Sequence, residues 1–273
     1  MSRAQPRPIV KWAGGKQAIA HSIVSCFPSI SGTYYEPFLG GASVFMRLRP
    51  ARAVLNDSNS WLIDTYIAVR ENWRAVAAIL HELPNTRADY LRIRLESRTC
   101  TSPWRRAAYF VYLNKTCFRG LYRVNRQNHF NVPYGAYNRR YFDENNLALV
   151  SDSLRSAQLR STDFECSLAG ARPGDVVYFD PPYYKLGGYS DFNRYTSAQF
   201  REPDHERLAA LCRKLDAMNI RWFVSNSDTD YVRRLFAGYS IRSIANRRDI
   251  NLVSRRRGVR ELLISNDRLD DDG

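Results

Sequence analysis

The chain has no run of about 18 apolar residues, and its first ten residues contain neither an apolar stretch nor a cleavage-like site. Together these absences argue against a bilayer span and a secretory leader, and they make the cytoplasm the expected compartment. Cysteine is sparse: Cys26, Cys100, Cys117, Cys166 and Cys212 are scattered with no Cys-x-x-Cys pair, so reduced packing residues are expected rather than a redox pair or a zinc knot. The four histidines, His21, His81, His129 and His205, form no ligand spacing, and no metal is expected. Lysine supplies only five of the 41 basic residues. That arginine surplus reads equally well as codon usage in a GC-rich genome, but codon usage does not explain where the arginines sit. Acid is missing altogether from Ser97 to Phe142.

That acid-free segment holds nine cations: Arg98, Arg105, Arg106, Lys115, Arg119, Arg123, Arg126, Arg139 and Arg140. A formal charge of +14 over 273 residues points to a polyanionic partner, because neutralising phosphates releases counterions. Aromatics interleave with these cations at Tyr109, Phe110, Tyr112, Phe118, Tyr122, Phe130, Tyr134 and Tyr137. A basic surface with aromatic faces suits phosphate contact combined with stacking or wedging between bases. The continuously apolar stretch Tyr109 to Leu113 reads instead as core.

Outside this segment strands and helices alternate, which predicts a doubly wound α/β sheet. Strands are expected at Thr33–Glu36, Arg52–Leu55, Asp175–Phe179 and Ile220–Ser225, with helices at Ser43–Leu48, Ser58–Val69 and about Ala198–Met218. Tyr239–Ala245 and Val259–Ile264 read as an antiparallel hairpin with a basic tip, making the sheet mixed. The acidic tail Asp270–Asp272 reads as disordered.

Three features bear on chemistry. Phe38-Leu39-Gly40-Gly41-Ala42 lies between a predicted strand and a predicted helix, where small residues let a ligand approach the backbone. Such turns are also common without a ligand. Asp57, at the end of the next strand, can accept hydrogen bonds from both ribose hydroxyls of a nucleotide-like cofactor, or can simply cap the following helix. Asp180-Pro181-Pro182-Tyr183 is more specific. Consecutive prolines force the chain out of the sheet in a stiff extended form. The Asp180 carboxylate and the Pro181 carbonyl can then accept both N–H bonds of a heteroaromatic amine and bias its lone pair toward attack. Tyr183 can stack on a base extruded from a duplex.

These residues fall into four ordered blocks: Lys11-Trp12-Ala13-Gly14-Gly15-Lys16; Glu36-Pro37-Phe38 through Ser43-Val44-Phe45; Leu113-Asn114-Lys115 through Phe130-Asn131-Val132-Pro133-Tyr134-Gly135; and Asp180 to Tyr183. From end to end the chain resembles the DNA adenine methylase (Dam) family, and the block order is that of its alpha group. The resemblance implies a Rossmann-like class I methyltransferase fold with a mixed sheet and a mainly helical target-recognition insertion. Residues 1–60 and 147–273 would form the catalytic domain, and residues 61–146 the DNA-binding domain. It implies S-adenosyl-L-methionine as cofactor, contacted by Trp12, Lys16, Phe38, Gly40, Asp57 and Asp180. Lys16 would serve the cofactor's carboxylate and Phe38 would lie near its sulfonium.

Double-stranded DNA is the implied partner, contacted by Lys11, Lys115, Phe118, Arg119, Leu121, Arg123, Arg126, Pro133 and Tyr134, with Arg255 and Arg256 at the hairpin tip. Arg123 would read a guanine beside the target adenine, in GATC or a close relative. Residues 184–195 resemble a flap that orders over DNA, and Ser225-Asn226-Ser227-Asp228-Thr229 resembles a further family motif. The resemblance leaves open a cognate restriction endonuclease as partner, and either a monomer or a weak dimer. Two positions depart from the pattern: Ala42 replaces a common glycine, a sterically mild exchange, and Phe118-Arg119 replaces Tyr-Asn.

Other readings explain less. A dinucleotide oxidoreductase needs no Asp-Pro-Pro-Tyr, a cytosine amino-methylase carries Ser at the position of Asp180, and an RNA enzyme often carries Asn there. A zinc deaminase needs a ligand set that is missing. A DNA-binding regulator with a methyltransferase fold and weak or no activity would need only the basic segment.

Overall fold

The computed structural model describes residues 4–184, 200–246 and 259–269. Arg255, Arg256, the acidic tail and all but the first residue of the flap expected at 184–195 lie outside those residues. Seven strands form one sheet in the order β3-β2-β1-β4-β5-β7-β6. They are β1 (Tyr34–Glu36), β2 (Ala53–Asn56), β3 (Ala157–Arg160), β4 (Val176–Phe179), β5 (Arg221–Ser227), β6 (Ser240–Asn246) and β7 (Val259–Ser265). The first five run parallel, and β7 inserts antiparallel between β5 and β6. The mixed sheet predicted from alternating apolar runs is therefore present, and each predicted strand is shifted by at most two residues.

Strand alternation sorts the core into two layers. Tyr34, Tyr178, Phe223 and Leu263 face one apolar cluster. Tyr35, Val177, Phe179, Trp222, Val224 and Leu262 face the other, with α7 (Glu202–Ala217) and α8 (Asp230–Leu235). The first layer contains α1 (Ala20–Val24), α2 (Ser43–Leu48), α3 (Ser60–His81), α4 (Arg87–Glu96), α5 (Pro103–Thr116) and α6 (Glu144–Leu154). Its apolar cluster continues without a break from the sheet into the acid-free segment, through Tyr66, Tyr109, Phe110, Tyr112, Tyr122 and Phe130.

That continuity bears out the core reading of Tyr109 to Leu113 and corrects the stacking expectation for Tyr122 and Phe130. Tyr109, Phe110, Tyr112, Tyr122 and Phe130 are buried, Tyr134 and Tyr137 are half-buried, and only Phe118 is exposed, at 45%. An aromatic ring buries a large apolar area, and these rings extend the sheet's own cluster into the segment. Beyond α5 the chain is irregular. A short turn at Phe118–Gly120 and two isolated antiparallel bridges, Cys117 to Tyr134 and Val124 to Phe130, fold it back on itself.

Two local details refine the reading. Asp57 does not cap α3; Asn59 does, its side chain accepting from the Leu62 amide at 3.1 Å. Ala42, buried at the N-terminus of α2, has φ +58°. The exchange from glycine is therefore not sterically mild, since a Cβ in the left-handed region costs about 1–2 kcal/mol.

Candidate active site

The strand order reverses between β1 and β4: the chain builds outward through β2 and β3, then returns to pair β4 on the other side of β1. Such a switch point opens a crevice beyond the carboxyl ends of the two strands, the usual ligand position in a doubly wound sheet. The glycine turn leaves β1 there and Asp180 leaves β4 there, so two motifs 140 residues apart become neighbours.

The turn is stitched to the end of β2. Leu39 N donates to Asn56 O at 2.8 Å, Asn56 Nδ2 donates to Pro37 O at 3.0 Å, and Gly40 N donates to Asp57 Oδ2 at 2.9 Å. Asn59 N donates to the other Asp57 oxygen at 2.9 Å. Burial pushes the Asp57 carboxyl up to about 6, against the pull of these two amides. Gly40 has φ +47°, and a Cβ there would lie 2.5 Å from Trp12 Cδ1. The close approach predicted for this glycine is thus made by an indole of the chain itself, which also stacks on Tyr122 at 5.4 Å. Phe38 packs against Phe164 at 5.3 Å and meets Phe200 edge-on at 5.6 Å.

Just past the Asp-Pro-Pro-Tyr turn, β5 holds the chain at Tyr184. Asn226 Oδ1 accepts from Tyr184 N at 3.3 Å, and Ser227 Oγ donates to Tyr184 O at 2.7 Å. Lys16 reaches in from the N-terminal segment, places Nζ 2.8 Å from Asp180 Oδ1, and donates to Gly14 O. Its side chain is 2% exposed whereas Asp180 keeps 19%, so the acid remains reachable and its counter-ion does not. Burial pushes Asp180 up to about 6, the Lys16 charge resists that rise, and Glu261 adds to it. Pro181 is buried and Pro182 exposed. Tyr183 donates its hydroxyl to Glu261 Oε2 at 2.7 Å, and its ring lies 4.7 Å from Lys16 Nζ.

Two acids escaped the sequence reading as site residues. Glu36 ends β1 and accepts from Tyr34 OH at 2.8 Å and Phe45 N at 3.1 Å. Its burial, with Asp180 nearby, pushes it up to about 8 against those two donors. Glu261 sits in β7 and is 2% exposed. An acid two residues from a buried apolar side chain on the same strand face, Glu261 beside Leu263 and Glu36 beside Tyr34, was the available signal for both.

The recognition candidates form a separate group. Lys11 and Asn114 exchange hydrogen bonds, Lys11 N to Asn114 Oδ1 at 2.6 Å and Asn114 Nδ2 to Lys11 O at 2.9 Å. The Lys11 side chain lies where a Cβ on Gly120 would stand, 2.1 Å from Lys11 Cδ. Half-buried Lys115 is pushed down to about 8 by burial and by the charges of Lys11, Arg139 and Arg7. Arg123 is half-buried, with Nε donating to Asn131 Oδ1 at 2.9 Å and a terminal nitrogen to Asn131 O at 3.4 Å. Arg119, at φ +59°, places its guanidinium over the exposed Phe118 ring at 5.1 Å. Arg126 and Pro133 are exposed and Leu121 is half-buried. The Tyr134 hydroxyl donates to Asn85 O at 2.8 Å and faces the protein.

Among the described residues no group of three or more His, Cys, Asp or Glu is arranged to hold a metal ion, and no helix is long and apolar enough to cross a membrane. A family model described as D12 class N6 adenine-specific DNA methyltransferase matches residues 12–250. The type II methyltransferase M1.LlaDCHI of Lactococcus lactis subsp. cremoris is 36% identical over 270 residues, covering 95% of each chain. M.MjaIII, a type II methyltransferase of Methanocaldococcus jannaschii, is 36% identical over 289 residues, covering 95% of this chain and 99% of its own. The DNA adenine methylase of Haemophilus influenzae is 32% identical over 264 residues, covering 94% of this chain and 92% of its own.

Proposed function

The chain belongs to the D12 class of N6 adenine-specific DNA methyltransferases, and from that premise we propose that it takes its methyl group from S-adenosyl-L-methionine and acts on the adenine of GATC or a closely related site. The observation that carries the reading is the meeting of Asp180, Lys16 and the Gly40–Asp57 pair at the switch point between β1 and β4.

The residues fit such a cofactor. Asp57, a half-buried residue just beyond the end of β2, is held by two backbone amides, which orients its carboxylate as a ribose diol requires. Phe38 and Trp12 border the same turn with apolar faces, whereas the Lys16 ammonium, 2% exposed and paired with Asp180, meets the cofactor's carboxylate only if that pair opens. When bound, the cofactor supplies a methyl group activated on a sulfonium. The protein's part is to prepare the amine. Asp180 and the Pro181 carbonyl accept its two hydrogens and turn the lone pair away from the ring. The Tyr183 ring face receives the extruded base. A carboxylate near 6 is far too weak a base to deprotonate a neutral aromatic amine. Once the nitrogen has given up its lone pair it becomes a strong acid, and Asp180 then takes its proton.

For recognition, Asn131 holds the Arg123 guanidinium at a fixed angle, as a fork reading guanine O6 and N7 requires. Lys11, Lys115, Phe118, Arg119, Leu121, Arg126, Pro133, Arg255 and Arg256 complete the proposed DNA contacts, whereas Tyr134 has its hydroxyl turned to Asn85 and is withdrawn from them. Residues 61–146 are the proposed recognition unit, between catalytic segments 1–60 and 147–273. The type II names of two relatives support a restriction endonuclease acting on the same site as a partner.

The test is sequencing of modified bases in DNA from cells expressing the chain, paired with the shift in melting temperature on adding S-adenosyl-L-methionine. N6-methyladenine confined to GATC and a raised melting temperature are expected. Methylation in an unrelated context overturns the site assignment, and no thermal shift overturns the cofactor.

A further inference from the structure

Glu261 comes from the antiparallel limb of the sheet, opposite Ser227 of β5 and Ile244 of β6, more than 75 residues beyond the Asp-Pro-Pro-Tyr turn. It is nonetheless part of that turn's surroundings. Its Oε2 accepts the Tyr183 hydroxyl at 2.7 Å and stands 3.8 Å from Lys16 Nζ. Lys16 Nζ in turn lies 2.8 Å from Asp180 Oδ1 and 4.7 Å from the Tyr183 ring centroid. Four side chains from three distant stretches of chain thus close into one ring.

Packing alone does not call for an acid at this position. Leu263 shares the Glu261 face of β7 and is fully buried, and an ionised carboxylate is costly to bury unless charge and hydrogen bonds compensate it. The Tyr183 hydroxyl and the Lys16 ammonium supply such compensation, and each lies in the site. A tyrosine ring anchored only by its Cβ can rock about its side-chain torsions, and a hydrogen bond from its far end to a buried charged acceptor fixes the ring plane. The same oxygen keeps the Lys16 ammonium beside Asp180.

We propose that Glu261 is a positioning residue for methyl transfer, setting the plane of Tyr183 through its hydroxyl and holding Lys16 against Asp180. The inference rests on the reading that Tyr183 stacks on the target base. A single carboxylate then orients both the stacking face and the amine acceptor. It ties the arrival of β7 in the sheet to the competence of a turn that leaves β4.

The experiment is a double-mutant cycle on the full chain. It uses Glu261→Ala, Glu261→Gln, Tyr183→Phe and the two combined variants, read by kcat and KM on hemimethylated duplex and by the fluorescence of 2-aminopurine at the target position. Glu261→Ala and Tyr183→Phe are each expected to lower kcat about tenfold, the value of one buried hydrogen bond to a charged group. Duplex affinity should stay within about twofold. Glu261→Gln keeps an uncharged acceptor and should lose about threefold. The decisive result is coupling: in the Tyr183→Phe background the Gln substitution should cost nothing further, and the Ala substitution much less than tenfold. Ring stacking quenches 2-aminopurine, so Glu261→Ala should leave the bound probe brighter than wild type does.

A purely structural acid would lower the melting temperature and multiply with Tyr183→Phe, and that outcome overturns the proposal. If Glu261→Ala does not fold, the Gln cycle alone decides. Tyr183→Ala separates the two layers of inference. Wild-type turnover in that variant overturns the stacking reading itself, whereas slow turnover with uncoupled Glu261 variants overturns only the positioning role.

Discussion

At the carboxyl ends of β1 and β4, Lys16, Asp180 and Glu261 meet with side-chain exposures of 2%, 19% and 2%. In the acid-free segment, Lys115, Arg119, Arg123, Arg126, Arg139 and Arg140 make no ion pair among the described residues, and most lie exposed or half-exposed. Charge is therefore used in two opposite ways. In the first region it is buried and paired, and the Asp180 carboxyl is raised to about 6, so its effects are short-ranged, little screened by salt and, at Asp180, sensitive to proton concentration. In the second it is left uncompensated over a core of tyrosines and phenylalanines, where burial, with the repulsion of Lys11, Arg139 and Arg7 added, pushes Lys115 down to about 8, and a polyanion relieves the repulsion. The first arrangement suits chemistry at one atom, and the second suits holding a phosphate backbone at a salt-dependent affinity.

The largest effect that would break this contrast is Asp180→Ala. Loss of the amine acceptor should cut turnover by about a thousandfold or more, while duplex affinity, measured by fluorescence anisotropy, stays within about twofold. A parallel loss of DNA binding would mean that the two regions are not separable.

The next effect is on pH. Asp180 and Asp57 are each raised to about 6 by burial, and in the roles proposed for them, one toward the amine and one toward the ribose, both act ionised. Plotted on logarithmic scales, kcat/KM should therefore fall below about pH 6 with a slope approaching two, and with a slope of one in Asp57→Asn. Stability should move the other way. Between the ordinary carboxylate value of 3.8 and about 6 the folded chain binds these protons more tightly than the unfolded chain. The contribution of these two groups to unfolding free energy thus rises as pH falls through that window. Binding of duplex by the arginines should hardly change over the same range. A flat rate profile from pH 7 to 5 would show that neither acid limits the reaction.

The smallest expected effect sharpens the contrast inside the basic segment. Arg123, oriented by Asn131, should behave as a base reader, so Arg123→Ala should lose about 1–3 kcal/mol of discrimination at one guanine pair. A phosphate anchor such as Arg126 should instead lose rate on all sequences alike and reduce the salt slope by about one unit. Equal losses for Arg123→Ala on GATC duplexes and on duplexes with that guanine pair exchanged would make Arg123 an anchor as well.

The parts of the fold legible beforehand are those in which local pattern and tertiary demand agree. The helix Ser43–Leu48 and the strand endings at Glu36 and Phe179 follow from apolar spacing and from residues that cannot continue a strand, such as Pro181 and Pro182. The aromatic interleaving misled because a buried tyrosine and a stacking tyrosine look the same in one dimension. Tyr122 lies one residue from Arg123 and points to the core. Ala42 misled because its left-handed backbone is imposed by the junction of β1 with α2 and not by its own preference.

Sequence by itself determined the family and the mixed α/β sheet, and it singled out Asp180, Tyr183, Asp57 and Lys16 as candidates, because each lies in a short motif whose local geometry does not depend on distant residues. Only the tertiary structure decided that Lys16 stands on Asp180, that Trp12 and not a ligand fills the space above Gly40, and that Glu261 completes the site from the far end of the chain. The physical reason is strand order. Parallel pairing of β1 with β4, and the antiparallel entry of β7 beside β5, bring together side chains separated by up to 245 positions. Pairing of that range is set by burial of both sheet faces at once, which no local window of sequence contains.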